Sequence, residues 1–414
     1  MSLQNLYAYV KSWSGSDWAL SWIIFFSIFY QKLVPIGFLL WILVLYKDWK
    51  YNSVASFFKT LLASPGFLFI TYYLLLLAGM FWTENTTFGL AKLENKLSFL
   101  LLPILLLGTN SKIASGDWKN TFLFALITTV VLYEMLAFFH SMNAPETSPF
   151  MYFRESHFTL FMHRSYFACY LTIGVVLLLE KVEHERRVLN VILLLLLSVA
   201  AIQTFSKAGI IALTLVFSLY AFVKLYKHSI LMSFCVLGAL ILSFFYVWKS
   251  DNLLSIRFKT MKAAMEEIEF SNNPSIESNA SRLLMWNSSV EVIRENPIFG
   301  VGTGDYDDAL ASQNEKRNNA GVLKLRLNSH NQFLNTWIQL GFIGFVVLTL
   351  LFIIPFAGSV NFYKSLILLT FLINFLFESF LETQAGIILF CTFMLLLFTP
   401  KNRLESHTTE IRTS

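Results

Sequence analysis

The chain has 414 residues, of which 56% are hydrophobic, 16% aromatic and 14% charged, with a net charge of +5. Soluble domains carry roughly 25% charged residues, so this composition excludes an ordinary cytoplasmic enzyme, and a mean hydropathy of +0.60 excludes a disordered chain. The apolar residues come in runs long enough to span a bilayer, so the positive balance is read as loops facing lipid headgroups and not as a nucleic-acid site.

A hydrocarbon core roughly 30 Å thick needs about 20 apolar residues per helix. The opening MSLQNLYAYVKSW lacks a basic start followed by an apolar core, so no cleavable signal peptide is expected. Residues 18–46 are too long for one comfortable span and are interrupted by Gln31, Lys32, Pro35 and Gly37, which predicts two short helices, 18–30 and 33–47. A clear span follows at 66–82. Residues 97–109, LSFLLLPILLLGT, are short and contain Pro103; they either cross or dip in and return. Further spans are predicted at 120–140, 165–180, 188–204, 207–223, 229–247, 332–356, 363–379 and 385–398. The expected fold is therefore all-α and polytopic, with about 12 transmembrane helices. About nine of them fall in residues 1–247 and three in 329–399; a long outside segment, 248–328, lies between, and a cytoplasmic tail occupies 400–414.

The positive charges agree with this count. With the N-terminus inside, cytoplasmic segments hold 15 of the 31 Lys and Arg residues, including Lys47, Lys50, Lys59, Lys181, Arg186, Arg187, Lys224 and Lys227. Short outside loops hold 6, namely Lys32, Lys92, Lys96, Arg154, Arg164 and Lys207, and the long outside segment holds 10. Long translocated segments are exempt from the positive-inside bias, whereas eleven spans would invert one half of the chain and spoil it.

Within 248–328, residues 253–270 pattern as an amphipathic helix and 280–294 as a second helix ending before Pro297. PIFGVGTGDY is a glycine-rich turn, and Asp305 suits the N-cap of a short helix after it. Structured loops of this length are usually functional.

Several side chains could carry chemistry. His330 stands where the long segment enters a span; it is either an interfacial histidine bonded to a carbonyl or a general base, since its ordinary pKa lies near 6.5. Arg282 and Trp286 lie one turn apart, as a cation stacked on an aromatic or as an anion clamp. The G-x-G-x-G at Gly300, Gly302 and Gly304 lacks the strand and the lysine of a nucleotide site, so it reads as a tight turn or a backbone anion cradle. Lys207, Arg154, Glu155, His157, His163 and Arg164 all face the outside in this topology. They are headgroup contacts or, together, a site for an anionic lipid such as a diphosphate. Glu134 is an ionisable group inside a span, where burial costs at least about 2.5 kcal/mol, so it is paired or close to the active site. Glu378 and Glu382 fall at an outside turn, solvated or paired. Cys169, Cys235 and Cys391 are widely spaced within apolar runs, with neither a zinc pattern nor a disulfide framework. H-E-x-x-H, Walker A and G-x-S-x-G do not occur, and no cofactor is expected.

His330, Asn331, nine residues, then Gly341, Phe342, Ile343 and Gly344 match H-[NSQ]-x9-G-x-x-[GTY]. Arg282, Trp286, Pro297, Gly300, Gly302, Gly304, Asp305 and Tyr306 precede it in family-like order, and HRSYFACYL at 163–171 is similar to a His-x-x-Tyr start of a span. In these features the chain resembles the O-antigen ligase and polymerase superfamily. One position departs from its pattern: a Ser-Arg pair between two central spans is here Ser206–Lys207, which keeps the charge and loses the bidentate fork. The resemblance implies a GT-C-type enzyme of the bacterial inner membrane, with its active site periplasmic and both termini cytoplasmic. It implies a glycan donor on undecaprenyl diphosphate, a lipid A–core or other glycan acceptor, and inverting, metal-independent transfer. In that scheme His330 deprotonates the acceptor hydroxyl, and Arg282 and Lys207, with Arg164 and His163, hold the leaving diphosphate; Asn331, Trp286, Gly302, Gly304 and Glu134 support them. Extension of repeat units on the carrier, glycan transfer to protein, and transport are the competing readings. A transporter needs polar groups near the bilayer midplane, whereas those here cluster at one face.

Overall fold

The computed structural model describes residues 11–51, 53–143, 149–226, 278–358 and 360–400. The span expected at 229–247, the amphipathic helix at 253–270 and the tail from 401 lie outside them. The described residues form helices, with one isolated β-bridge between Trp49 and Thr109.

The first helices are α1 (Gly15–Phe29), α2 (Val34–Asp48), α3 (Val54–Leu62), α4 (Gly66–Gly79), α5 (Thr86–Lys96) and α6 (Ser98–Gly108). Next come α7 (Trp118–Asn143), α8 (Arg164–Glu185), α9 (Val188–Gln203) and α10 (Lys207–Tyr226). After the long segment begins, α11 (Ser278–Glu295) and α12 (Tyr306–Lys316) precede α13 (Gln332–Ile353), α14 (Phe362–Phe377) and α15 (Gln384–Phe398). Helices thus occupy every described stretch expected to span. Among the described residues, four segments are long and apolar enough to cross a membrane: Ile113–Asn143, Arg164–Glu185, Lys207–Tyr226 and Gln332–Ala357. A fifth arises if α3 and α4, bent by 92° at their junction, count as one span. Four shorter apolar helices, α1, α9, α14 and α15, pack among them.

Polar residues punctuate this apolar sequence by capping the helices. Ser14 and Asp17 form a capping box at α1, Asn85 caps α5, and Asn361 and Thr383 cap α14 and α15. Among the first helices, contacts at the two ends show the chain turning back on itself. At one end, Ser16 donates to Asp48 at 2.7 Å and Asn110 N–H donates to the Asp48 carbonyl at 2.9 Å, joining the start of α1 to the ends of α2 and α6. At the other end, the Tyr133 hydroxyl donates to the carbonyl of Phe29 at 3.2 Å.

α8 is the central helix, buried continuously from Ser165 to Leu179. Beside it, Phe371 and Phe375 of α14 and Phe390 of α15 pack with ring centroids 4.8–5.0 Å apart. Phe380 closes this stack from above at 5.4 Å from Phe375. The aromatic floor fixes the turn between α14 and α15, where the polar residues converge.

Candidate active site

The turn begins at Glu378, immediately after α14 ends. Its carboxylate is buried, with 6% of the side chain exposed, and three side chains donate to it. Arg282 Nη2 of α11 lies 2.8 Å from Oε1, and Ser165 Oγ of α8 lies 3.0 Å from the same oxygen. His330 Nδ1 lies 3.3 Å from Oε2. Burial raises a carboxyl pKa, but the hydrogen bond from His330 and the charges of Arg282 and His163 outweigh it and hold Glu378 at about 2, against an ordinary 4.5. An ionised carboxylate only accepts hydrogen bonds, so Nδ1 is the donor in the His330–Glu378 contact, which leaves Nε2 as the ring nitrogen available to exchange a proton. This arrangement suits a general base.

His330 is held by its neighbours. Its backbone has φ +46, left-handed, and its N–H donates to Asn328 Oδ1 at 3.0 Å. Asn331 caps α13, accepting from Phe333 N–H at 2.9 Å and Leu334 N–H at 3.1 Å, and its Nδ2 donates to the Leu376 carbonyl at 3.2 Å. Arg282 Nε donates to the Phe377 carbonyl at 3.2 Å, so one guanidinium grips both the end of α14 and the carboxylate beyond it.

The structure therefore brings Arg282, His330 and His163 together around Glu378. His163 stands at the N-cap position of α8, without a capping side-chain bond, in the field of Glu378, Arg164, His330 and Arg282. Arg164 pairs with Glu155 at 3.0 Å. Lys207 opens α10, half-buried, at the same end of the bundle: Gly209 lies against Ala168, one turn into α8 from Arg164. Trp286 follows Arg282 by one turn, and its buried Nε1 has no hydrogen-bond acceptor among the described residues. Glu134 hydrogen-bonds Gln203 of α9, so its described partner is an amide and not a counter-charge.

The glycine-rich turn packs internally. Val301 and Gly302 N–H donate to the carbonyls of Ile338 and Gln339 at 2.8 and 3.2 Å, and Gly304 N–H to Thr83 Oγ1 at 3.2 Å. These N–H groups are spent on the fold, which favours the tight-turn reading over the anion cradle. Asp305 corrects an expectation: its side chain does not cap α12. It instead accepts from Glu84 and Asn85 N–H at 2.8 and 2.7 Å, because the turn is pressed against the start of α5 and those orphan donors are closer.

Sequence reasoning missed the importance of the 378–383 turn. Glu378 and Glu382 are paired, as one alternative had it, and neither side chain is exposed to solvent by more than 6%. Lys96 and Lys92 lie 2.6 and 3.0 Å from Glu382. Burial works against ionisation there too, but the two ammonium groups outweigh it and hold Glu382 below its ordinary value. A signal was present on α13: Gln332, Asn335, Thr336 and Gln339, at i, i+3, i+4 and i+7, put four amide or hydroxyl groups on one face of an apolar helix. All four are fully buried; Gln332, Asn335 and Gln339 reach the turn, with Gln332 Oε1 accepting from Leu381 N–H at 2.6 Å, and Thr336 bonds the Tyr72 hydroxyl of α4 at 3.0 Å.

Residues 192–349 match a family model described as O-antigen ligase. The match spans Lys207, Arg282, Trp286, the glycine-rich turn, His330 and Gly341, and leaves His163 and Glu378 outside it. An uncharacterized protein of Haemophilus influenzae is 23% identical over 301 residues, 70% of each chain. Residues 192–349 are thus similar to the O-antigen ligase family, and this stretch includes the His330 and Gly341 pattern from which the resemblance to that superfamily is drawn.

Proposed function

We propose that this protein is an O-antigen ligase-type glycosyltransferase that moves a glycan from undecaprenyl diphosphate to a hydroxyl of lipid A–core, at the periplasmic face of the bacterial inner membrane. The observation that carries this reading is the His330–Glu378 pair inside an O-antigen ligase family setting. Glu378 fixes the tautomer that leaves Nε2 basic and stabilises the imidazolium once it forms. The acceptor hydroxyl gives its proton to His330 Nε2. Its oxygen attacks the anomeric carbon from the face opposite the diphosphate, the C–O bond to the diphosphate breaks, and the carrier diphosphate leaves with the electron pair. Displacement from the opposite face makes the transfer inverting. We assign the growing charge on the leaving group to the cations at this end of the bundle: Arg282, Arg164 and Lys207, with His163. A fixed positive charge in a poorly solvated cleft needs no reorganisation during reaction.

The proposed topology is the twelve-span arrangement with both termini cytoplasmic. The charge bias supports it, as do the contacts that join the start of α1 to the ends of α2 and α6. In this arrangement residues 1–247 and 329–399 are the membrane parts and 248–328 the periplasmic segment.

The test is a product assay in membranes with labelled undecaprenyl-diphosphate glycan, with and without lipid A–core, run for the parent and His330→Ala. Label should move to lipid A–core in the parent, and His330→Ala should lose about 10²–10⁴-fold in rate. Longer glycan on the carrier in the absence of lipid A–core would make the protein a polymerase using the same donor. Transfer to neither would direct the search to a protein acceptor or to transport.

A further inference from the structure

Four residues after Glu378, the same turn ends in a second buried carboxylate to which the proposed reaction assigns no task. Glu382 Oε1 accepts from Lys96 Nζ at 2.6 Å and Asn335 Nδ2 at 2.9 Å, and Oε2 accepts from Lys92 Nζ at 3.0 Å and the Tyr306 hydroxyl at 3.1 Å. Lys96 is fully buried and also donates to Gln339 Oε1 at 3.1 Å. Three elements therefore meet on one carboxylate: α5 through its lysines, α12 through Tyr306 and α13 through Asn335.

Phe380–Glu382 is a tight 3-10 turn, closed by Glu382 N–H on the Ser379 carbonyl at 3.1 Å. A unit this short moves as one piece. Its Ser379 hydroxyl lies 3.3 Å from Ser329 Oγ and donates to Asn328 Oδ1 at 3.1 Å, and the same Asn328 oxygen accepts the His330 N–H. A displacement of Glu382 thus reaches both the carboxylate that orients the His330 ring and the residues that hold its backbone.

We propose that Glu382, clamped by Lys92 and Lys96, is a positioning residue that sets the register of the Glu378 turn and, through it, the aim of His330. The inference rests on the transferase reading above. Glu382→Gln keeps the size of the side chain but leaves Lys96 buried without its counter-charge, which opens the clamp. Misplacing a reacting group by about 1 Å costs up to about 10²-fold in rate. The expected result is a fall in kcat of at least about tenfold, with the donor KM within about twofold of the parent, because alignment and not ground-state binding is lost. Lys96→Gln combined with Glu382→Gln removes the fully buried ion pair, leaves Lys92 at the more exposed edge of the cluster and lets two amides hydrogen-bond, and should return kcat to within about threefold of the parent.

The assay is glycan transfer in membranes at matched protein levels, with His330→Ala beside these variants. Parental kcat in Glu382→Gln, or a loss confined to KM, overturns the inference. If Glu382→Gln does not accumulate, the double variant decides: accumulation without activity overturns it, and accumulation with restored kcat supports it. A parent that transfers nothing, or a fully active His330→Ala, overturns the transferase reading and this inference with it. An inactive His330→Ala beside a fully active Glu382→Gln overturns this inference alone.

Discussion

His330 occupies a left-handed backbone conformation, φ +46, that a non-glycine residue seldom adopts and that costs on the order of 1–3 kcal/mol. The surroundings hold it there through Asn328, through Asn331 as the cap of α13 and through Glu378 on the ring. Strain at a candidate base, with its environment built to maintain it, is consistent with the preorientation that the proposed reaction requires. The sequence placed His330 and Arg282 as candidates but not Glu378, because the carboxylate lies 48 residues further on and the pairing exists only once α13 and α14 are packed. Glu378→Gln should show its place. Arg282 would lose its buried counter-charge, a change that costs about 3–5 kcal/mol. The pH dependence has a definite sign. The folded carboxyl sits at about 2, below its ordinary 4.5, so its contribution to stability is complete above 4.5 and is lost as pH falls towards 2. Melting temperatures in detergent between pH 6 and pH 3 should therefore fall for the parent at the acid end and change less for Glu378→Gln. Parallel curves for the two proteins would show that the carboxylate is not held ionised by its partners.

At the scale of elements, the glycines of the sequence pattern turn out to meet one another. α13 is two helical pieces joined at Gly341, whose φ of +64 and ψ of −162 are not helical. The carbonyl of Ile298 sits where a Cβ on Gly341 would stand, and a Cβ on Gly300 would lie 2.5 Å from the carbonyl of Ile338. Phe342 N–H, released by the kink, donates to the Pro297 carbonyl at 2.9 Å. The glycine-rich turn and Gly341 of the histidine pattern are thus two halves of one backbone contact that seats α11 and α12 on α13. The spacing of these residues could be read from the sequence; their contact could not, since a G-x-G-x-G turn has several uses and only tertiary packing selects one. The polar stripe of α13 was equally visible, and its meaning waited for the carboxylates opposite. Gly341→Ala should cost more than about 2 kcal/mol, through both the positive φ and the backbone overlap. Gly116→Ala, where an added Cβ meets nothing within 4 Å, serves as the control. Thermal unfolding in detergent should separate the two, with Gly341→Ala lowered and Gly116→Ala close to the parent; equal midpoints would mean that the kink carries no load.

The whole molecule sorts its polar groups by end. The turns that carry His163, Arg282, His330, Glu378 and Lys207 lie together, while Lys112, Lys119 and Lys181 lie at the opposite end. There Lys119 pairs with Glu180 and Lys112 donates to Ser12 at 3.0 Å. Hydropathy marked the helices well, because apolar runs have no other stable use at this length. It marked crossings less well, since several helices are shorter than a comfortable span and take their place by packing against α8 and α13. Orientation rests on an independent expectation, that the short loops rich in Lys and Arg face the cytoplasm. The two arguments make one joint prediction. In a background with the three natural cysteines replaced, single cysteines at Thr87 and Ser156, both exposed at the end that carries His330, should react with a membrane-impermeant maleimide in intact spheroplasts. Cysteines at Gly116 and Arg186, exposed at the opposite end, should react only after the membrane is opened. Labelling of Gly116→Cys in intact spheroplasts while Ser156→Cys stays protected would put the His330 site on the cytoplasmic side, where a lipid A–core acceptor delivered to the outer face could not reach it, and the ligase reading would fall.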